Sequence, residues 1–181
     1  MAFIQTPQKK RKKIEPSLDD RFTEPDFLLE YAQEKGIDVN PLDVVALAHS
    51  LDIKLRFEPL RNDASGLLKK DEEDNWYMHI NSLHHPNRQR FTIAHELAHR
   101  FLDGKDQSEF TDTIFFRNGE LSPMEAAANN YAACLLMPQE KFKHFVTNVS
   151  SKVEDIAMHF GVSSLAVRYR AKKLGYTGHG V

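Results

Sequence analysis

With a single cysteine, Cys134, the chain can form no internal disulfide and has no thiolate cluster to hold a metal. A reducing compartment fits that composition, and the cytoplasm is the expected location. Long apolar runs are missing as well. No stretch approaches the roughly 20 residues of a membrane span, and the basic residues near the start are not followed by the apolar core of a signal peptide. The chain is therefore read as neither exported nor anchored. Charge of one sign is not in excess: 24 Lys and Arg against 26 Asp and Glu leave a net charge of −2 at pH 7, which does not favour nucleic acid. The local exception is "KKRKK", Lys9 to Lys13, flanked by Gln, Pro and Ser, which reads as a solvated arm.

What is present describes one globular domain. The 181 residues are 41% hydrophobic and 28% charged, enough for a sizeable core without staples. Residues 1–22 are expected to form a flexible basic arm, 23–148 the main body and 149–181 a terminal pair of helices.

Proline and glycine punctuate the body. "TEPDFLLEYAQEKG" reads as a helix capped at Thr23, with an early proline and Gly36 as its stop; "NPLDVVALAHSL" repeats the pattern with Asn40 as cap. Then "DIKLRFEPL" alternates Ile53, Leu55 and Phe57 inward, "SGLLKKD" follows, and "NWYMHIN" alternates Trp76, Met78 and Ile80. The expectation is a small antiparallel sheet of three strands flanked by helices, an α+β fold.

The informative stretch is "RQRFTIAHELAHRFL", Arg88 to Leu102. At about 100° per residue, His95, His99 and Glu96 share one face, while Phe91, Ala94, Leu97, Ala98, Phe101 and Leu102 occupy the other. Histidines at i and i+4 have Cβ atoms about 5–6 Å apart and can converge on one ion at about 2.0–2.1 Å. Neutral imidazole suits Zn²⁺, which tolerates three protein ligands and an open fourth position. Glu96 points toward the space a metal-bound water fills. Zinc brings the pKa of such a water to about 7, so Glu96 is placed to act as its general base in amide hydrolysis.

A third ligand is required. Asp103, Asp106, Glu109, Asp112, Glu120 and Glu125 all lie downstream, and spacing does not choose among them. Glu125 opens a helix rich in alanine (Ala126, Ala127, Ala128, Ala132, Ala133) that can approach Ala94 and Ala98 closely. Yet Ser122-Pro123-Met124-Glu125 is also a capping box, in which the carboxylate needs no metal. Both readings stand at this point. Asp103 shares the metal face and is a candidate to orient His99 from behind.

"RFTIAHELAH" (Arg90 to His99), "EAAANNYAACLLMP" (Glu125 to Pro138) and "VEDIAMHFGVSSLAVRYRAKKLG" (Val153 to Gly175) together resemble the ImmA/IrrE family of small metallopeptidases. The resemblance covers roughly residues 25–175. It implies a zincin-like fold, a zinc endopeptidase with His95, His99 and Glu125 as ligands and Glu96 as base, and a helix-turn-helix repressor encoded nearby as substrate. Many relatives carry Gly where this chain has Ala98. A zincin fold also implies a strand edge beside the metal for an extended peptide, and "NWYMHIN" is the candidate.

Two rival readings use the same residues. The terminal helical pair, with Arg168, Arg170, Lys172 and Lys173 on its second helix, resembles a DNA-binding helix-turn-helix regulator. Alternatively, the cleft binds a repressor without hydrolysing it. His84, His85, Tyr131, Tyr169 and Arg168 are candidates for stabilising a transition state; His144, His159 and Cys134 are read as surface or packing residues.

Overall fold

The computed structural model describes residues 18–104, 109–112 and 122–177. Among them are eight α-helices and one four-stranded sheet, confirming the α+β class. The basic run Lys9 to Lys13 lies outside the described residues, as do Asp106, Glu120 and "TIFF". Leu18–Arg21 is a single helical turn, α1, and Phe22, which follows it, is buried.

Helix α2 spans Pro25–Glu34 and α3 spans Val44–Ser50. Neither is capped as the sequence suggests. Thr23 donates its hydroxyl to the Asp20 carbonyl instead, and Glu24 precedes α2 without a side-chain cap. Asn40 lies in the turn before α3, whose cap is Asp43, its Oδ1 accepting from the amides of Val45 and Ala46. A carboxylate two and three residues from free amides satisfies them at a helix N-terminus, where negative charge is also favoured.

The strands are β1 (Lys54–Glu58), β2 (Gly66–Lys70), β3 (Trp76–Asn81) and β4 (Glu109–Asp112), in the order β1-β3-β2-β4. This corrects the expected three-stranded antiparallel sheet: β1 pairs with β3 in parallel, while β2 pairs antiparallel with both β3 and β4. The reason is visible at Asn81. The link from β1 to β2 passes over the end of β3, where Asn81 donates its amide N–H to the Ser65 carbonyl and its side-chain N–H to the Ala64 carbonyl. β2 and β3 then form the hairpin read from "KDEEDN", closed by Asp71 accepting from the amides of Glu73 and Asn75. β3 is thus an inner strand, not the edge proposed for it. Among the described residues the edges are β1 and β4.

Met78 and Ile80 of β3 and Leu68 of β2 turn inward and are fully buried. Phe57 does not follow them: at 46% exposure it lies on edge strand β1, where nothing covers it among the described residues. Helix α4, Pro86–Leu102, packs on the sheet, and α5, Pro123–Leu136, packs on α4. Small residues make that contact possible: Ala94, Ala98, Ala128 and Ala132 are all buried, whereas Ala126 and Ala127 face solvent. α6 (Gln139–Asn148), α7 (Val153–Phe160) and α8 (Ser164–Lys173) complete the fold, with Gly161 in the left-handed conformation at the α7–α8 turn.

The α7–α8 pair is docked. Arg90 of α4 donates Nε to the Gly161 carbonyl at 2.9 Å, and Asn87 donates to the Val162 carbonyl at 3.0 Å. Arg170, one of the basic residues offered for DNA, is buried and donates to the Met137 carbonyl and to Sγ of Cys134.

Candidate metal centre

Helix α4 begins at Pro86, a residue suited to the first helical position, with His85 Nδ1 accepting from the Asn87 amide. From Phe91 to His99 every residue is buried. The sequence led us to expect one apolar face against a core and one polar face lining an open cleft. Instead the sheet covers one side and α5 the other, so His95, Glu96 and His99 are 0%, 0% and 1% exposed. Leu102, assigned to the apolar face, is at the exposed end of the helix.

The two imidazoles converge. His95 Nε2 and His99 Nε2 are 2.9 Å apart, with Glu125 Oε2 3.2 Å from the first and Oε1 3.4 Å from the second. A tetrahedral ion with bonds of about 2.0–2.1 Å requires ligand atoms about 3.3 Å apart, so the spacing fits zinc-like coordination. Of the six downstream carboxylates, Glu125 alone joins the histidines in a potential metal cluster among the described residues. Ser122 still caps α5, accepting from the Glu125 amide at 3.2 Å. The capping box is therefore half used: its hydroxyl works as a cap, and its carboxylate faces the histidines.

The far side of each ring fixes which nitrogen carries the proton. His95 Nδ1 meets the Asn129 amide oxygen at 3.1 Å, and His99 Nδ1 meets Asp103 Oδ2 at 3.0 Å. Both oxygens accept, so both Nδ1 atoms donate, and in the neutral rings each Nε2 presents a lone pair inward. Two lone pairs and a carboxylate aimed at one point call for a cation. Protonated on Nε2 as well, His95 and then His99 would donate to Glu125 and hold its carboxyl far below the usual carboxylate range; burial opposes charge on His99, but Glu125 and Asp103 outweigh it and raise its pKa. Phe110 of β4 stacks on the His99 ring, centroids 4.8 Å apart and planes 12° from parallel, so the edge strand walls the site.

Asp103 takes the supporting position proposed for it. Asn129 was not singled out from the sequence; its signal is its place four residues after Glu125, on the same face of α5. Replacing Asn129 by Leu is expected to weaken zinc affinity about 10–100-fold, measured by competition with a chromogenic chelator, because His95 loses the acceptor that sets its tautomer. Other candidates are engaged elsewhere. Tyr131 donates its hydroxyl to the Phe22 carbonyl, and His84 contacts Asp63 and Asn81; His159, read as a surface or packing residue, stacks on Phe145.

Residues 48–172 match the model of the IrrE N-terminal-like domain of peptidase family M78. The chain is 30% identical over 148 residues to the radiation response metalloprotease IrrE of Deinococcus deserti, covering 80% of this chain and 47% of that protein. The chain thus spans about half the length of that curated relative. A Mycobacterium tuberculosis transcriptional regulator shares the fold, with a TM-score of 0.58 at 15% identity over 91% of this chain and 52% of the other. No helix among the described residues is long and apolar enough to cross a membrane.

Proposed function

Because the chain belongs to the IrrE N-terminal-like family of metallopeptidase domains, we propose that it is a zinc endopeptidase that cuts a peptide bond in a protein substrate. The observation that carries this reading is the convergence of His95, His99 and Glu125, with both Nδ1 atoms committed to acceptors.

His95, His99 and Glu125 would hold the zinc, which would supply a Lewis acid for the scissile carbonyl and for the attacking water. The protein's own residues do the rest. Asn129 and Asp103 keep the ring nitrogens aimed inward, which removes the reorganisation that a loose site incurs. Glu96, one residue beyond His95, takes the water's proton on its carboxylate and returns it to the departing amine. Burial of Glu96 keeps bulk water from competing for that proton.

An extended substrate is proposed to pair with β4 rather than β3. Among the described residues β4 is the last strand of the sheet, and its Phe110 stacks on His99. N-methylation of alternate backbone amides in a peptide substrate is expected to raise KM, with little effect when the intervening amides are methylated. Equal effects at every position would argue against strand pairing.

The substrate class proposed is a helix-turn-helix repressor, in keeping with a relative that acts in a radiation response. Incubation of zinc-loaded protein with such a repressor, followed by intact-mass spectrometry, should yield two fragments summing to the repressor plus one water. A repressor that is released from DNA yet stays intact, equally with wild type and Glu96→Gln, would establish binding without hydrolysis.

A further inference from the structure

We propose that Gly66, the first residue of β2, is a positioning residue that sets where the Glu96 carboxylate rests. This deepens the reading of Glu96 as general base and depends on it.

A Cβ built on Gly66 would fall 2.4 Å from Glu96 Oε1 and 2.7 Å from Thr92 Cγ2. Neither separation is sustainable for real atoms, so any side chain at 66 forces a neighbour to move. Gly66 itself has nowhere to go. It pairs with Ile80 on one side and Asp112 on the other, and its predecessor Ser65 is buried. The Ser65 carbonyl accepts from the Asn81 amide, and its hydroxyl accepts from Arg88 Nη2 at 2.9 Å. Thr92 is equally held. It is β-branched, fully buried, and donates its hydroxyl to the Arg88 carbonyl at 3.0 Å. The atom struck first is Glu96 Oε1, at the end of a side chain with three rotatable bonds, so that end is what the collision shifts. The hydrogen atom at position 66 therefore defines the floor on which the carboxylate sits, and a methyl group there pushes the base away from its water.

Glycine is required here for space and not for backbone conformation, since Gly66 is not among the positive-φ residues. The distinction separates a positioning role from a folding role.

The test uses Gly66→Ala in wild-type and Thr92→Ser backgrounds. Thr92→Ser removes the methyl group that the new Cβ would strike yet keeps the hydroxyl, so the double variant leaves Glu96 as the one displaced neighbour. In that background Gly66→Ala is expected to lower kcat about 100-fold, the scale of a displacement near 1 Å, with KM and zinc stoichiometry unchanged. Restored kcat in the double variant, or loss of zinc together with activity, would overturn the proposal. A second readout needs no hydrolysis. In metal-free protein, the fall in Tm caused by Gly66→Ala in the Thr92→Ser background should shrink when Glu96 is also replaced by Ala, because the colliding atoms are gone. Additive Tm shifts would refute the contact even if no substrate were ever cleaved. If the shifts are coupled but the wild type hydrolyses nothing, the contact stands while the assignment of Glu96 as base, and with it the positioning role, falls.

Discussion

Glu96→Gln is expected to lower kcat by about 10²–10⁴-fold while the purified protein retains its zinc. The amide occupies nearly the same volume as the carboxylate, so the buried surroundings of Glu96 keep their packing, and the three side chains that would hold the metal, His95, His99 and Glu125, are untouched. What disappears is the ability to accept a proton. Elemental analysis beside a single-turnover cleavage assay separates the two effects. Retained cleavage would remove Glu96 from the chemistry, and lost zinc would mean that its carboxylate supports the centre instead of acting on the water.

The second large effect concerns Glu125. If zinc fills the proposed centre, wild type at about 1,000 times the dissociation constant is expected to gain about 4 kcal/mol, which for a protein of this size raises Tm by about 8–16 °C. Glu125→Ala should abolish most of that zinc-dependent increment. The loss of affinity should exceed the about 10–100-fold expected for a supporting residue such as Asn129, since a ligand and its negative charge are both removed. Scanning calorimetry with zinc and with chelator measures the increment directly. An undiminished increment would show that zinc binds elsewhere or that another carboxylate completes the centre.

How much of this was legible in the chain depends on whether the signal is local. Helix α4 was, because the spacing of His95, Glu96 and His99 and its counter-face of Phe91, Leu97 and Phe101 all fall within one stretch. Most other helices announced themselves through Pro and Gly. Glu125 was legible only as a choice, since a capping box and a ligand use the same residue type at the same place, and the structure shows the hydroxyl and the carboxylate serving different ends. Sheet order was not legible. Parallel pairing of β1 with β3 depends on where the link between β1 and β2 crosses, and that is fixed by hydrogen bonds from Asn81, a residue whose type alone says nothing of it. β4 is only four residues long and too brief for alternation to register. Burial of α4 on both sides from Phe91 to His99 was missed because a wheel shows which residues share a face, not whether another layer covers it.

That enclosure has an outcome for how such a domain can diversify. Backbone amides from Phe91 to His99 should be among the slowest to exchange with deuterium, because every residue of that helical stretch is buried. On the proposed reading, His95, Glu96 and His99 are insulated from drift in the outer shell, and substrate preference is expected to be rewritten along the rim near Phe110 and the start of α5 without disturbing the centre beneath.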